Sequence, residues 1–375
     1  MADPPHRQIR AAERLAWLRL IRSDNIGPIT FRNLLAHFGE AEAALEAVPR
    51  MAQRGGRRKP LTLYPEAAAE RELAALEALG GRAITLIEPD YPEALAAIPD
   101  PPPVIMTLGN GHLLARKAVA VVGARNASAN GRRLARDLAA GLGGAGFLVA
   151  SGLARGIDAA AHNGALESGT VAVMAGGVDV VYPRENQELY EQVAAQGLLV
   201  SEIAMGTTPQ ASHFPRRNRL ISGLSLGVVV VEAAPRSGSL ITARQAAEQG
   251  REVFAVPGSP LDPRARGCNG LIRQGATLVE SAADVVDALA GMLRPSISEP
   301  PERDFAPAKP PETPESELAT CRATLEDLLS PTPVPVDELI RQCQLSPAVV
   351  RTVLLELELA GRIERHPGNR VASVA

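Results

Sequence analysis

Residues 213–221 read His213-Phe214-Pro215-Arg216-Arg217-Asn218-Arg219-Leu220-Ile221, and the chain soon continues into the apolar run Val228–Val231. An unbroken apolar run is typical of a strand buried on both faces of a parallel sheet. The polar part places three arginines and an asparagine beside one phenylalanine, in a chain with only 3% aromatic residues. Single-stranded nucleic acid is bound by such combinations, because bases stack on rings and phosphates pair with guanidinium groups. In the alternative interpretation, Arg217 and Arg219 form ion pairs with Glu202 and Glu232 and hold the sheet edge together.

Apolar runs alternate with helical patterns from Val104 to about Leu293. The predicted strands are Ala118–Val122, Phe147–Ala150, Val171–Met174, Leu198–Val200, Val228–Val231, Val253–Val256 and Thr277–Val279, after a short strand at Ala83–Ile87. The predicted helices are Arg132–Leu142, Ile157–Leu166, Gln187–Ala195, Leu220–Leu224, Ile241–Glu248 and Ala283–Leu289. This alternation predicts an α/β fold with a parallel sheet covered by helices on both faces. Such sheets bind ligands at the carboxyl ends of their strands, where the topology changes direction.

Small-residue turns follow three of these strands, and each turn leads into a helix. They are Gly123-Ala124-Arg125-Asn126, Ser151-Gly152 and Arg236-Ser237-Gly238-Ser239. Unpaired backbone amides and the helix dipole favour an anion at such a turn. One turn of this kind is generic, but three of them together with Arg125, Arg217 and Arg219 predict an anion site at the sheet edge.

Four segments are predicted: a helical domain at 1–82, a Rossmann-like domain at 83–293, a Pro-rich linker at 294–316 and a winged-helix domain at 317–375. The turn Asn25–Thr30 is similar to those of helix-hairpin-helix and SAM-like modules, whose amides grip DNA phosphates, although a plain helical hairpin uses the same residues. In the last domain, helices at Leu318–Leu329, Val336–Cys343 and Pro347–Ala360 precede a two-stranded wing. The third helix presents Glu356, Glu358 and a single basic residue, Arg351. The winged-helix domain is therefore at least as well suited to binding another protein, or to binding DNA weakly, as to recognising an operator sequence.

The composition limits the possible functions. The chain has 375 residues, 46% of them hydrophobic, and a formal net charge of -3, so phosphate binding must come from a local patch. The three cysteines have no Cys-x-x-Cys spacing, which argues against zinc or disulfides, and we expect no metal and no cofactor. No run approaches the ~20 apolar residues of a membrane span and no signal peptide is evident, so we expect a cytoplasmic protein with no membrane insertion. The absence of any Gly-Lys pair excludes a Walker A motor.

Further motifs extend over the whole predicted sheet domain. They are Ser151–Asp158 with Ala161–Leu166, Tyr182-Pro183 with Asn186, Ser201-Glu202, Phe214-Pro215 with Arg217–Arg219, Ser237–Ser239 with Thr242-Ala243, Val256–Gly258, and Gly270–Ile272 with Gly275-Ala276. Their residues and order resemble the DNA-processing protein A family (DprA, also called Smf).

The resemblance implies an extended Rossmann fold that binds single-stranded DNA without sequence preference. It also implies a homodimer formed through that fold, loading of the RecA recombinase during DNA uptake or repair, and flanking SAM-like and winged-helix domains. The family usually has Ser or Thr between the Gly and Arg of the first loop. This chain has Ala124 there, so one hydroxyl donor to phosphate is absent.

The predicted DNA-binding residues are Gly123, Arg125, Ser151, Gly152, Phe214, Arg217, Asn218, Arg219, Ser237, Gly238 and Ser239. Asp158 and His162 invite a catalytic interpretation, but capping and a satisfied helical histidine are favoured, and no catalytic residue is expected. Two other functions compete with DNA binding. One is a nucleotide hydrolase that cleaves a glycosidic bond with Glu202 or Glu232, and the other is a transcription regulator acting through the winged helix.

Overall fold

The computed structural model describes residues 7–291, 314–366 and 368–374. They form two compact units, one made of residues 9–70 with the described residues after 313, the other of residues 7–8 and 71–291. Most of the predicted linker 294–316 lies outside the described residues, and the proposed domain boundaries stay predictions. No helix in the described ranges has both the length and the apolar content needed to cross a membrane.

The first unit begins with helices α1 (Ala11–Arg22), α2 (Pro28–Phe38) and α3 (Ala41–Arg54). Gly27 and Pro28 stand at the start of α2, where proline lacks only an N–H that would be unpaired anyway. Trp17 packs edge-on against Phe31, with 4.9 Å between the ring centroids, and this pair joins α1 to α2.

The second unit contains a nine-stranded sheet in the order β1-β2-β6-β5-β4-β3-β7-β8-β9. Its strands are β1 (Arg82–Thr85), β2 (Val104–Gly109), β3 (Ala118–Val122), β4 (Leu148–Ser151), β5 (Thr170–Val173), β6 (Leu198–Ser201), β7 (Ser225–Val230), β8 (Glu252–Ala255) and β9 (Thr277–Leu278). Strands β3 to β9 pair in parallel, whereas β2 pairs antiparallel to both β1 and β6. The predicted α/β fold is confirmed, with an antiparallel edge that the sequence analysis did not predict.

Helix α4 (Glu66–Ala78) precedes β1 in the chain. Further helices cover both faces of this sheet and contribute to its hydrophobic cores. They are α5 (Glu93–Ala96), α6 (Ala129–Gly144), α7 (Ile157–Ala165), α8 (Gln187–Gln196), α9 (His213–Gly223), α10 (Gly238–Glu248), α11 (Arg266–Arg273) and α12 (Ala282–Ala290). Helix α9 begins seven residues before the predicted Leu220. Pro215 is compatible with this start because the first turn of a helix has unpaired N–H groups.

The winged-helix part consists of α13 (Glu315–Leu328), β10 (Val334–Pro335), α14 (Val336–Cys343), α15 (Pro347–Leu359), β11 (Ile363–His366) and β12 (Arg370–Ser373). The three strands form a small antiparallel sheet in the order β10-β12-β11, one strand more than predicted. Pro367, which lies in the predicted wing turn, falls outside the described residues.

The acidic residues of α15 correct one expectation, because they do not form an open face. Glu356 is fully buried, 2.6 Å from the guanidinium of Arg322 and 3.6 Å from that of Arg54 on α3. Glu358 accepts hydrogen bonds from Thr30 on α2 and from Arg365 on β11, at 2.7 and 2.8 Å. Both carboxylates therefore join the third helix of the winged-helix part to the N-terminal helices of the same unit.

Candidate nucleic-acid interface

The direction of the connections changes beside β3, which lies between β4 and β7. The loop after β3 carries Arg125, and the loop after β7 carries Ser237, so both loops lie at the carboxyl edge of the sheet. This is the position at which open α/β sheets bind ligands. Ser237 also caps α10, because its hydroxyl accepts the N–H of Ser239.

An aromatic pair lies at this edge. The Phe214 ring lies 5.6 Å from that of Tyr182, centroid to centroid, at an interplanar angle of 53°. The Arg125 guanidinium lies over Phe214, 4.9 Å from the ring centroid. Arg125 is exposed and 43% of Tyr182 is exposed, so a cation and an aromatic surface are both accessible to a ligand. We call Arg125, Tyr182 and Phe214 the aromatic platform.

Arg217 lies inside the protein rather than on this edge. Its Nη1 donates to the carbonyls of Gly152 at 2.5 Å and Val173 at 2.6 Å, and only 5% of the residue is exposed. Burial lowers its pKa to about 10, although the nearby Asp158 carboxylate raises it in part. The predicted contact between Arg217 and DNA stays a prediction, but the observed bonds give this side chain a role in holding the ends of β4 and β5.

Arg219 is also occupied by protein partners. It pairs with Glu202 and lies 3.4 Å from an Asp100 carboxylate oxygen, and it donates to the Asp100 carbonyl at 2.6 Å. The structural alternative that pairs Arg219 with Glu202 thus describes the observed contact. Glu232 instead binds Ser128, accepting from the backbone N–H at 2.9 Å and from the hydroxyl at 2.6 Å, at the start of α6.

The remaining predicted residues lie at the same edge but differ in exposure. Ser151 is buried and its hydroxyl donates to the Val121 carbonyl at 2.7 Å. A β-carbon on Gly152 would overlap the Arg217 guanidinium, and one on Gly123 would lie 2.6 Å from Ile157. Asn218 donates to the Gly238 carbonyl at 3.3 Å, which joins α9 to the first residue of α10. These residues support the loops, whereas Ser237 and Gly238 lie at least partly on the surface.

Asp158 and His162 have structural partners. The Gly152 N–H donates to Asp158 at 3.2 Å, and burial raises the pKa of this carboxyl while the Arg217 charge lowers it. His162 Nε2 accepts the Leu153 N–H at 3.2 Å, so Nδ1 carries the proton and donates to Thr170 at 2.7 Å. Burial lowers the pKa of His162 to about 3, which keeps the imidazole neutral.

Sequence reasoning did not include Tyr182 among the candidate site residues, although it contacts Phe214. Arg184 and Arg216 were not included either; they are exposed, lie two residues from Tyr182 and Phe214 in the chain, and have no ion pair among the described residues. Across the described parts of the chain, no cluster of three or more His, Cys, Asp or Glu side chains forms a metal site.

Three family models match the chain. The model described as DNA recombination-mediator protein A matches residues 82–290, the DprA-like N-terminal HHH domain matches 11–75, and the DprA winged helix domain matches 309–369. The chain belongs to the DNA recombination-mediator protein A family. Protein Smf of Synechocystis sp. is 32% identical over 96% of this chain and 98% of its own length.

Two solved structures of DprA proteins are similar to this chain. That of DprA from Streptococcus pneumoniae is 35% identical, with a TM-score of 0.64 over 75% of this chain and 98% of that chain. A structure of DprA from Helicobacter pylori, described in terms of its single-stranded DNA binding mode, is 27% identical, with a TM-score of 0.52 over 56% of this chain and 96% of that chain. The predicted family is confirmed.

Proposed function

We propose that this chain is a sequence-independent single-stranded DNA binding protein without enzymatic activity, which protects incoming strands and loads RecA onto them in the cytoplasm. The aromatic platform carries the proposal. Base stacking is sequence-tolerant because every base has a π face, and guanidinium groups bind phosphates whatever the sequence. The H. pylori relative, whose single-stranded DNA binding mode has been described, supports the same function.

In this proposal the residues at the sheet edge divide into two groups. Tyr182 and Phe214 stack on bases, and Arg125 pairs with a phosphate, assisted by the half-buried Ser237 and the exposed Gly238. The predicted third member of that turn, Ser239, is buried and its N–H donates to the Ser237 hydroxyl, so it supports the turn. The second group comprises Gly123, Ser151, Gly152, Arg217, Asn218 and Arg219, which hold the loops in position.

The two competing functions are less well supported. A glycosidic hydrolase would need a carboxylate free to act, but Glu202 pairs with Arg219 and Glu232 binds Ser128. A regulator that reads an operator would need an open third helix in its winged-helix part. Both acids of α15 instead contact the N-terminal helices or other parts of the same unit.

Binding measurements on the full chain test the proposal. Fluorescence anisotropy should show tighter binding of an oligothymidylate than of a duplex of equal length. The logarithm of the binding constant should fall linearly with the logarithm of the salt concentration, with a slope of about -0.7 per phosphate contacted. Equal or tighter binding of duplex would contradict the proposal. RecA loading is tested separately, by filament formation on strands already covered by a single-strand binding protein.

A further inference from the structure

A groove runs between α6 and α7, beside the loop that carries Arg125. Its volume is about 300 Å³, and its walls include Arg132, Arg133 and Arg136 from α6 and Asn163 from α7. Small residues of α7, among them Ala159 and Ala160, also line it. Among the described residues, no acidic side chain lines this groove. A groove lined by arginines and small residues suits an extended polyanion better than a compact ligand.

The arginines of this groove differ in their partners. Arg133 lies 3.7 Å from the Asp137 carboxylate. Within the described residues, Arg132 and Arg136 have no ion pair, and both are exposed. They are four residues apart on one helix, so they lie on the same face and their like charges repel each other. An anion in the groove would remove that repulsion.

The groove adjoins the loop that carries Arg125. Gly156 lines the groove, and a β-carbon at this position would lie 2.7 Å from the Arg125 carbonyl oxygen. The N–H of Ile157, the first residue of α7, donates to the Ala124 carbonyl at 3.2 Å. Arg125, Arg132 and Arg136 therefore follow one another from the loop after β3 onto the side of α6.

We propose that this groove holds the sugar-phosphate backbone of single-stranded DNA beyond the nucleotides stacked on the aromatic platform. The inference rests on the proposed function and extends it. Arg132 and Arg136, one helical turn apart, would each pair with a phosphate. The Asn163 amide N–H₂ already donates to the Ala159 carbonyl at 2.9 Å, and the groove has no aromatic lining, so it holds the backbone without reading bases.

The experiment compares oligothymidylates of about 6 and about 20 nucleotides, a range that spans the usual site sizes of single-strand binding modules. Both are titrated into the full chain and into the double variant Arg132→Ala, Arg136→Ala. Arg244→Ala is the control, because Arg244 is an exposed arginine of α10, outside the groove, and lies 3.7 Å from Glu248 on the same helix. Equal denaturation midpoints establish that each variant is folded.

We expect the double variant to bind the long oligonucleotide about tenfold more weakly, as for two exposed ion pairs, and the short one within twofold of the unsubstituted chain. Its salt slope with the long strand should be smaller by about 1.4, corresponding to two phosphates. Arg244→Ala should bind like the unsubstituted chain.

An unchanged affinity of the double variant for the long strand overturns the inference alone. An equal loss for both lengths also overturns it, because the groove would then add nothing beyond the platform. If the unsubstituted chain binds neither oligonucleotide, the proposed function fails and the inference fails with it.

Discussion

At the scale of single residues, Arg216, Arg217 and Arg219 are near neighbours in sequence and lie in three environments. Arg217 is three and four residues before the buried Leu220 and Ile221, so it lies on the inner face of α9. Arg216 lies on the outer face and is exposed, whereas Arg219 is half-buried against two acids. Position on the helix therefore decides which of these cations a ligand can reach.

Arg217→Ala should affect mainly the stability of the protein, and Arg216→Ala mainly its binding of DNA. Loss of the Arg217 guanidinium leaves two buried carbonyls without their donor and Asp158 without a nearby cation, which should cost about 3 kcal/mol of the free energy of unfolding. Arg216→Ala should change that free energy by less than about 0.5 kcal/mol but weaken oligothymidylate binding. Urea denaturation and anisotropy titrations measure both effects. Equal stability of the two variants would contradict the positioning role.

The lowered pKa of His162 predicts that the free energy of unfolding depends on pH. The folded chain holds this imidazole neutral down to a pKa of about 3, whereas the unfolded chain protonates it below about pH 6.5. Stability contributed by the neutral form is therefore present above pH 6.5 and is lost as the pH falls from 6.5 towards 3. At pH 5 this loss amounts to about 2 kcal/mol.

His162→Gln tests this dependence because glutamine can also accept from Leu153 and donate to Thr170 without titrating. Urea midpoints of both proteins at pH 7.5 and pH 5 give the change in unfolding free energy. The variant should lose about 2 kcal/mol less than the unsubstituted chain between the two values. The same loss in both proteins would exclude His162 as its source.

The sequence predicted the placement of some candidate site residues better than that of others, and the reasons are physical. Phe214 stands out because the chain has few aromatic residues, and Arg125 because it follows a strand directly in a small-residue turn. The burial of Arg217 could have been read from its spacing to Leu220 and Ile221. The acids that bind Arg219 are 119 and 17 residues away in the chain, and only the fold brings them to it.

At the scale of elements, the strands inside the sheet were predicted to within one to three residues because they are unbroken apolar runs. Strand β2 follows three consecutive prolines, which masked its start, and it pairs antiparallel with β6. The short helix α11 is rich in glycine and arginine and gave no clear helical pattern. Local signals thus predicted every strand of the sheet except β2, together with most of the covering helices.

Helix α15 is held against α3 by a close contact at Gly55. A β-carbon on Gly55 would overlap the Glu356 carbonyl, so Gly55→Ala should separate the two helices and cost about 1–3 kcal/mol by overpacking. Hydrogen exchange of α15 should then become faster. Gly27→Ala is the matched control, because nothing lies within 4 Å of a β-carbon at Gly27. Equal exchange rates in the two variants would contradict the contact.

At the scale of the whole molecule, we propose that the chain forms a homodimer through the sheet unit. Strand β9 ends the sheet, so its outer edge has no strand partner within the described residues. Leu278 on this strand is 47% exposed, and Leu261, in the loop after β8, is 89% exposed. An apolar sheet edge of this kind favours association with a second chain.

Leu278→Lys should weaken self-association at least tenfold, because it places a charge in the proposed contact. Leu79→Lys is the control, since Leu79 is exposed to a similar extent, 52%, and lies away from β9 in the sequence. Sedimentation equilibrium measures the dissociation constants. Unchanged association of the Leu278 variant would place the contact elsewhere, and a monomeric unsubstituted chain would exclude the dimer.

The central claim is that an aromatic ring at the carboxyl edge of the sheet stacks on the bases of a single strand. The most direct measurement is the affinity of the full chain for an oligothymidylate with Phe214→Leu, which keeps an apolar side chain, and with Phe214→Tyr, which keeps the ring. We predict that the leucine variant loses about 1–3 kcal/mol of binding free energy and that the tyrosine variant binds like the unsubstituted chain. Binding by Phe214→Leu as tight as that of the unsubstituted chain would contradict the claim.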